Sequence, residues 1–262
     1  MKPFELGYLC AEPFLPPLMK LVRRRMKNLN RAYAETPNVL DVGGRKSHYT
    51  IGVRADVTIT DLPRESDIQK ELSLGINDAI IEKTISRRTN VRQVLFDDMT
   101  HSTLLDETFD CVVAVEVLEH VEHDAEFVSE VNRVLKPSGV FLMTTPNGDF
   151  LRNNNPDHKR HYRRQQLADL LSEFFDSVEV EYAIRGGKYR RWGLRGWSIR
   201  HPHRTALSMF GNIINTVESS GEAIKAQSNG THHLVATAWK SNRSAQAGQS
   251  SDFSPTAVAK AG

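Results

Sequence analysis

The chain has 262 residues, 39% of them hydrophobic and 25% charged, which suits one α/β domain with an addition, or two small domains. No apolar run approaches the roughly 20 residues that cross a bilayer, and Glu5, Glu12 and several prolines interrupt the apolar start, so a protein without span or secretory leader, cytoplasmic in location, is expected. The net charge of +2 hides an asymmetry: residues 185–204 hold seven of the 34 Lys and Arg and no acid, leaving 27 basic against 32 acidic groups elsewhere, which argues against a nucleic-acid-binding body.

Residues 1–34 read as a helical segment, with Leu18, Leu21, Val22, Met26 and Leu29 at helical spacing and Lys20, Arg23, Arg24, Arg25 and Lys27 on a solvated basic face. Short buried strands are expected at Val39–Gly43 and Ala55–Thr60, the second ending at Asp61. A polar, mostly helical stretch over 63–90 precedes strands at Val91–Phe96 and Asp110–Val115. Cys10 and Cys111 have no disulfide or metal spacing, and Cys111 reads as a small buried hydrophobe within the fourth strand. A helix over 123–135 is stopped by Lys136-Pro137-Ser138-Gly139, and a fifth strand runs from Val140 to Thr145, closed by Pro146-Asn147. A helix near 164–175, a strand near 177–184, a helix at 205–218 and a last strand at Leu234–Trp239 complete the ordered part. In that 205–218 helix Leu207, Phe210, Ile213, Ile214 and Val217 share one face. Residues 241–262, rich in Ser, Ala and Gly, read as a disordered tail.

Strands alternating with helices predict a mainly parallel sheet covered on both faces, with ligands at the carboxyl ends of its strands. The residues at those ends have a common chemistry. A glycine after the first strand lets backbone approach a ligand without a β-carbon between them. A carboxylate ending the second strand accepts the hydroxyls of a ribose, and one after the third accepts from an adenine amino group. Together they describe a pocket for an adenosine-containing ligand.

The stretch TFDCVVAVEVLEHVEHDAEFVSEVNRVLKPSGVFLMTTPN resembles the core of class I S-adenosylmethionine (SAM) dependent methyltransferases. It is most similar to the branch holding quinone-biosynthesis and bacterial sugar and lipid methyltransferases. Glu116-Val117-Leu118-Glu119-His120-Val121, Leu135 to Gly139 and Thr144-Thr145-Pro146-Asn147 carry the resemblance, and HKRHYRRQQLADLL extends it. It covers about residues 35–184 plus the final strand. It implies a Rossmann-like class I methyltransferase fold with a mainly parallel seven-stranded sheet. The methyltransferase domain would then span 35–240, with 185–230 as an insert. By position, Asp41, Gly43 and Gly44 would form the SAM loop, Asp61 would hold the ribose, Asp98 and Met99 the adenine, and Glu116 the methionine portion. One departure stands out: Arg45 and Ser47 occupy the second and third glycine positions of that loop. Relatives linked to sugars and polysaccharides tolerate such a loop followed by an aromatic residue, here Tyr49. A cation there either pairs with the SAM carboxylate or crowds it.

A methyl transfer to a hydroxyl also needs a base, and His120, following the fourth strand and titrating near neutrality, is the catalytic candidate, against a plain helix-capping role. His158, His161 and Tyr162 are expected to border the acceptor pocket. The two histidines have helical metal spacing, but with no third ligand identifiable the sequence assigns no metal. Arg190 and Arg191, set among Tyr189, Trp192 and Trp197, suit a small-molecule acceptor bearing phosphate or carboxylate, or peripheral contact with an anionic membrane, and the insert reads as a substrate lid. The competing readings are an RNA methyltransferase, which the acidic body disfavours, and a non-catalytic SAM-fold binding protein, which Arg45 and Ser47 motivate. A nicotinamide dehydrogenase would need the missing G-x-G-x-x-G loop.

Overall fold

A computed structural model describes residues 1–44, 48–63 and 75–242. Arg45 and Ser47, the 64–74 part of the expected polar helix and residues 243–262 of the expected tail lie outside the described residues. In chain order the elements are α1 (Pro3–Ala11), α2 (Pro17–Arg31), β1 (Asn38–Val42), β2 (Asp56–Asp61), α3 (Asp78–Arg87), β3 (Val91–Phe96) and β4 (Phe109–Val115). Then come α4 (Asp124–Val134), β5 (Leu135–Pro146), α5 (Arg164–Ser172), β6 (Ser177–Arg185), α6 (Lys188–Gly193), α7 (Pro202–Glu218), α8 (Glu222–Ala226) and β7 (Thr231–Trp239).

The seven strands form one sheet in the order β3-β2-β1-β4-β5-β7-β6. The first five are mutually parallel, whereas β7 slots between β5 and β6 antiparallel to both. The chain runs outward from β1 to β3 and then returns to place β4 on the other side of β1. That reversal opens the crevice where such sheets bind ligands.

Period-two alternation divides each central strand between two cores. Leu40, Val112, Phe141 and Met143 face one side, where Phe127, Val128, Val131 and Val134 of α4 and Leu167 and Leu171 of α5 cover them. Val39, Cys111, Val113 and Leu142 face the other, against Val22 and Met26 of α2 and Ile80 and Ile81 of α3. Each of these large apolar side chains contributes about 1.5–3 kcal/mol by leaving water. Cys111 is buried and free, as its apolar setting predicts.

Four local features differ from the sequence expectation. The expected N-terminal helical segment is two helices, and the second starts two residues later than the expected start at 15: Pro3 and Pro17 begin them, and Pro202 begins α7, each in a helical first turn, where a missing N–H costs nothing. Arg23 is fully buried rather than solvated, because it donates to the carbonyls of His48 and Ile51 at 3.0 and 2.7 Å and pairs with Glu12 at 2.9 Å. The α4 helix ends at Val134, one residue earlier than expected, since Leu135 is already extended and opens β5, which runs through the Lys-Pro-Ser-Gly stretch. The fourth feature is α7, which is built inside out: Ser208, Gly211, Asn212 and Asn215 are its buried residues, while Phe210, Ile213 and Val217 are exposed. Polar packing decides that orientation. A side chain at Gly193 or Gly211 would run into the opposing helix, so α6 and α7 cross with backbones nearly touching. Asn212 and Asn215 then donate to the carbonyls of Phe14 and Arg185 at 2.9 and 2.8 Å.

Among the described residues, no helix is long and apolar enough to cross a membrane.

Candidate active site

Parallel pairing brings the carboxyl ends of β1 to β5 to one edge of the sheet. At β1 the chain turns through Gly43, whose φ of +67° favours glycine, and its N–H donates to the Thr60 carbonyl at 2.8 Å. A β-carbon on Gly43 would lie 2.8 Å from Val117, and one on Gly44 would lie 2.7 Å from the Asp41 carboxyl carbon. The turn is therefore bare backbone over a buried carboxylate. Burial, above all, pushes the Asp41 carboxyl up to about 7, with Arg88 and the Thr50 hydroxyl opposing it.

Asp61 ends β2, half-buried, and accepts from the Leu62 N–H at 2.8 Å. The two aspartates after β3 separate by role. Asp97 is buried and closes its own loop by accepting from the N–H and hydroxyl of Thr103, whereas Asp98 is exposed at the strand end and accepts from Thr100. Met99 beside it is 4% exposed.

The other side of the edge is built from distant segments. Glu116, at the end of β4, has the left-handed φ of +55°, a backbone conformation costly for a residue with a β-carbon. Its Oε1 accepts from the Thr144 hydroxyl at 2.9 Å and from His233 Nδ1 at 3.2 Å. His233 Nε2 in turn accepts from Arg190 at 3.5 Å, so the two partners together specify the neutral Nδ1–H tautomer. Burial alone would raise the Glu116 carboxyl, but His233 and Thr144 hold it below the usual range. Burial and the Glu116 charge push Glu119 well above that range.

Glu119 sits in the short helical turn Leu118–His120 and is fully buried. Its Oε2 accepts from the Thr145 hydroxyl at 3.1 Å, while Oε1 has no hydrogen-bond partner. Next to it, His120 Nδ1 donates to the Asp157 carbonyl at 3.0 Å, and its ring meets that of His158 edge-on with centroids 4.6 Å apart. His161 Nδ1 donates to the Leu151 carbonyl at 3.3 Å, which leaves its Nε2 to accept from His158 Nδ1 at 2.8 Å. Burial, then His120 and His161, lower the pKa of His158. One oxygen or ring nitrogen from each of Glu119, His120 and His158 lies within 4.8 Å of the others.

The structure thus brings together Glu116, His120, His158, His161 and Arg190 of the sequence candidates. Two it places elsewhere. Tyr162 is buried and gives its hydroxyl to Asp124 at 2.7 Å, a carboxylate it shares with Arg160, so it clamps the 158–162 segment onto α4. Arg191 is exposed, one residue past the inward-reaching Arg190.

Three residues at this edge escaped the sequence reading. Glu119 lay inside the quoted Glu-Val-Leu-Glu-His motif and could have been found there. His232 and His233 were invisible because β7 was expected to start at Leu234, and nothing in the sequence showed it to be antiparallel. Running backwards, β7 delivers its first residues, not its last, to the carboxyl edge, where His233 pairs with Pro146. Burial, then Arg190 and His233, lower His232 to about 4. Tyr49 lies close enough to Glu116 and Asp41 for their charges, after burial, to raise its hydroxyl.

The sequence model of a family described as a methyltransferase domain matches residues 19–211. A Mycolicibacterium smegmatis protein named "Probable S-adenosylmethionine-dependent methyltransferase" is 32% identical over 155 residues, covering 57% of this chain and 56% of the other. The "Ubiquinone biosynthesis O-methyltransferase, mitochondrial" of Dictyostelium discoideum is 22% identical over 156 residues, 58% of this chain and 46% of that one. The chain spans about half the length of these two relatives. The crystal structure of a SAM-dependent methyltransferase from Archaeoglobus fulgidus superposes with a TM-score of 0.53 at 17% identity, over 85% of this chain and 94% of that one. At such identity the likeness concerns the fold, which is the Rossmann-like class I methyltransferase sheet expected above.

Proposed function

The chain belongs to the methyltransferase domain family, and from that premise we propose that it transfers the methyl group of SAM to a hydroxyl oxygen of a small-molecule acceptor. The observation that carries this reading is the order of groups along four adjacent strand ends. They run from Asp98 and Met99 through Asp61 and the bare Gly43-Gly44 turn to Glu116. That series fits the cofactor piece by piece: an apolar side chain and a carboxylate for adenine, a carboxylate for the ribose diol, and open backbone for the amino-acid portion. SAM, when bound, supplies an electrophilic methyl group already carrying its activation, so the protein's task is alignment and exclusion of water.

The acceptor lies on the other side of the Gly43 turn. Its hydroxyl faces the cluster headed by His120, which promotes loss of the hydroxyl proton. His158 and His161 border the same space. Arg190, the inward-reaching guanidinium of the 185–204 stretch, supports an acceptor with a carboxylate or phosphate. Its own pKa is lowered by burial, and Glu116 partly offsets that. The name of the Dictyostelium relative, an O-methyltransferase, favours oxygen as the methylated atom.

Calorimetric titration with SAM and S-adenosylhomocysteine tests the cofactor half. Micromolar binding of both is expected, and Asp61→Ala should weaken it at least tenfold, about 1.4 kcal/mol, with thermal stability near that of the parent. Absence of binding, or equal affinity in the variant, would overturn the assignment.

A further inference from the structure

We propose that the outer face of α7 is a self-association surface, on which the α7 of a second copy of this chain packs antiparallel about a two-fold axis. The proposal goes beyond the methyl transfer and does not depend on it. The helix turns its polar side to the protein and leaves an apolar strip outside. Ala206, Phe210, Ile213 and Val217 are all exposed, Phe210 at 51% and Val217 at 69%. They follow one another at four, three and four residues, the spacing of a seam between two helices, whose apolar positions recur every 3.5 residues on average. The strip is also held from behind. Ser208, Asn212 and Asn215 are buried, and the two amides bond to the carbonyls of Phe14 and Arg185, so α7 cannot roll its apolar side inward without breaking both. The Phe210 ring is steadied by Tyr189 of α6, edge-on with centroids 6.4 Å apart.

Charge identifies the occupant. A helix favours anions in its first turn and cations in its last, and α7 has the reverse: Arg204 lies in the first turn and Glu218 is the last residue. Among the described residues neither side chain has an ion-pair or hydrogen-bond partner. A mate running the other way, centred between Phe210 and Ile213, sets Phe210 against its Ile213 and Ala206 against its Val217. The same register brings Arg204 within one residue of its Glu218, and the two-fold axis makes every contact twice. Both ends of each helix then meet the opposite charge. A parallel mate would set Arg204 against Arg204 and Glu218 against Glu218. An anionic bilayer would suit the arginines and repel Glu218.

Lys188 and Arg191 of α6 are exposed beside the strip, and their repulsion of the mate's copies is screened beyond about 8 Å at physiological salt. A single helix pair falls at the low end of specific interfaces, below about 1,200 Å², so the dimer is a reversible one.

Sedimentation of the full chain at concentrations from about 1 to 300 µM tests this. A monomer–dimer equilibrium with a Kd on the order of 10–100 µM is expected. Phe210→Asp, at an exposed position that the fold does not use, should raise that Kd by at least about 30-fold. Arg204→Glu and Glu218→Arg should each raise it about 3–10-fold, and the double variant should return it to within about twofold of the parent, because both copies then carry the exchanged pair. Leu105→Asp, exposed elsewhere on the molecule, should dimerise like the parent. A parent that stays monomeric at about 300 µM, or a dimer that survives Phe210→Asp, would overturn the proposal. Single reversals that the double variant does not restore would overturn the antiparallel pairing. Co-sedimentation with phosphatidylglycerol vesicles covers the other occupant: a chain that is monomeric in solution and loses vesicle binding with Phe210→Asp would assign the face to a membrane instead.

Discussion

The two sides of the sheet edge are built on opposite plans. On the cofactor side each group is the last residue, or nearly so, of its own strand, and neighbouring strands set the spacing. Gly43, Asp61 and Asp98 would stand where they do even if the insert were deleted. The acceptor side has no such autonomy. Glu116, Glu119 and His120 follow β4, His158 and His161 follow β5, Arg190 rides on α6, and His233 arrives with the reversed strand β7. Those groups meet through hydrogen bonds, from Arg190 through His233 to Glu116 and from Leu151 through His161 to His158. The lesson is that damage should stay local on one side and spread on the other.

The largest expected effect sharpens the cofactor side. Asp41 lies beneath the glycine turn with its pKa raised from 3.8 to about 7. In the unfolded chain it ionises near its ordinary value, while in the fold it keeps its proton until about pH 7. The folded state therefore holds more protons through that window, and Asp41 subtracts stability as the pH rises from about 4 to about 7. Asp41→Asn cannot ionise. Its stability relative to the parent should improve by a few kcal/mol between those limits, as one pKa step is worth about 1.4 kcal/mol. Denaturant melts at pH 4.5, 6 and 7.5 measure this, and a difference independent of pH would refute it.

A smaller effect tests the spread on the acceptor side. A β-carbon at Gly211 would lie 2.8 Å from the Tyr189 carbonyl oxygen and 2.9 Å from the Gly193 nitrogen, so Gly211→Ala must push α6 off α7. Such overpacking costs about 1–3 kcal/mol. Because α6 carries Arg190, acceptor turnover should fall while SAM affinity holds. Equal loss of both would show that the two sides are one cooperative unit.

How much of this was legible follows the same division. The strand ends assigned to the cofactor were readable because period-two apolar runs fix strand limits and a parallel sheet fixes which end is active. Within the family resemblance, spacing to Phe109 singled out Asp98 over Asp97, and in the structure Asp98 is exposed at the strand end while Asp97 is buried in its own loop. The helix at α4 was equally readable, since its apolar face is buried. The helix at α7 was readable as a helix but misleading as a face: Phe210, Ile213 and Val217 point to solvent because Gly211, Asn212 and Asn215 pack better against a neighbouring backbone. Hydrophobic periodicity registers apolar area, and it is blind to a helix whose docking depends on missing side chains and amide hydrogen bonds. His233 was lost to strand direction, which no local pattern encodes. The pairing of His158 with His120 was lost to a loop closure, tied by the Lys159 N–H donating to the Glu119 carbonyl at 2.7 Å.

The finest test separates neighbours that the sequence could not tell apart. Arg190 and Arg191 share a charge, a helix and an aromatic setting, yet Arg190 reaches inward to His233 and Arg191 is exposed. If the acceptor side works through the chain of contacts from Arg190 to Glu116, then Arg190→Ala should do two things. It should remove a cation from an anionic acceptor and loosen the tautomer of His233. The kcat/KM for the acceptor should then drop about tenfold, roughly 1.4 kcal/mol, with SAM affinity unchanged. Arg191→Ala, removing an exposed charge, should change it less than about twofold. Steady-state kinetics with the acceptor varied at saturating SAM read both. Equal effects from the two arginines would mean that the stretch acts through its overall charge, and the wired arrangement would have to be abandoned.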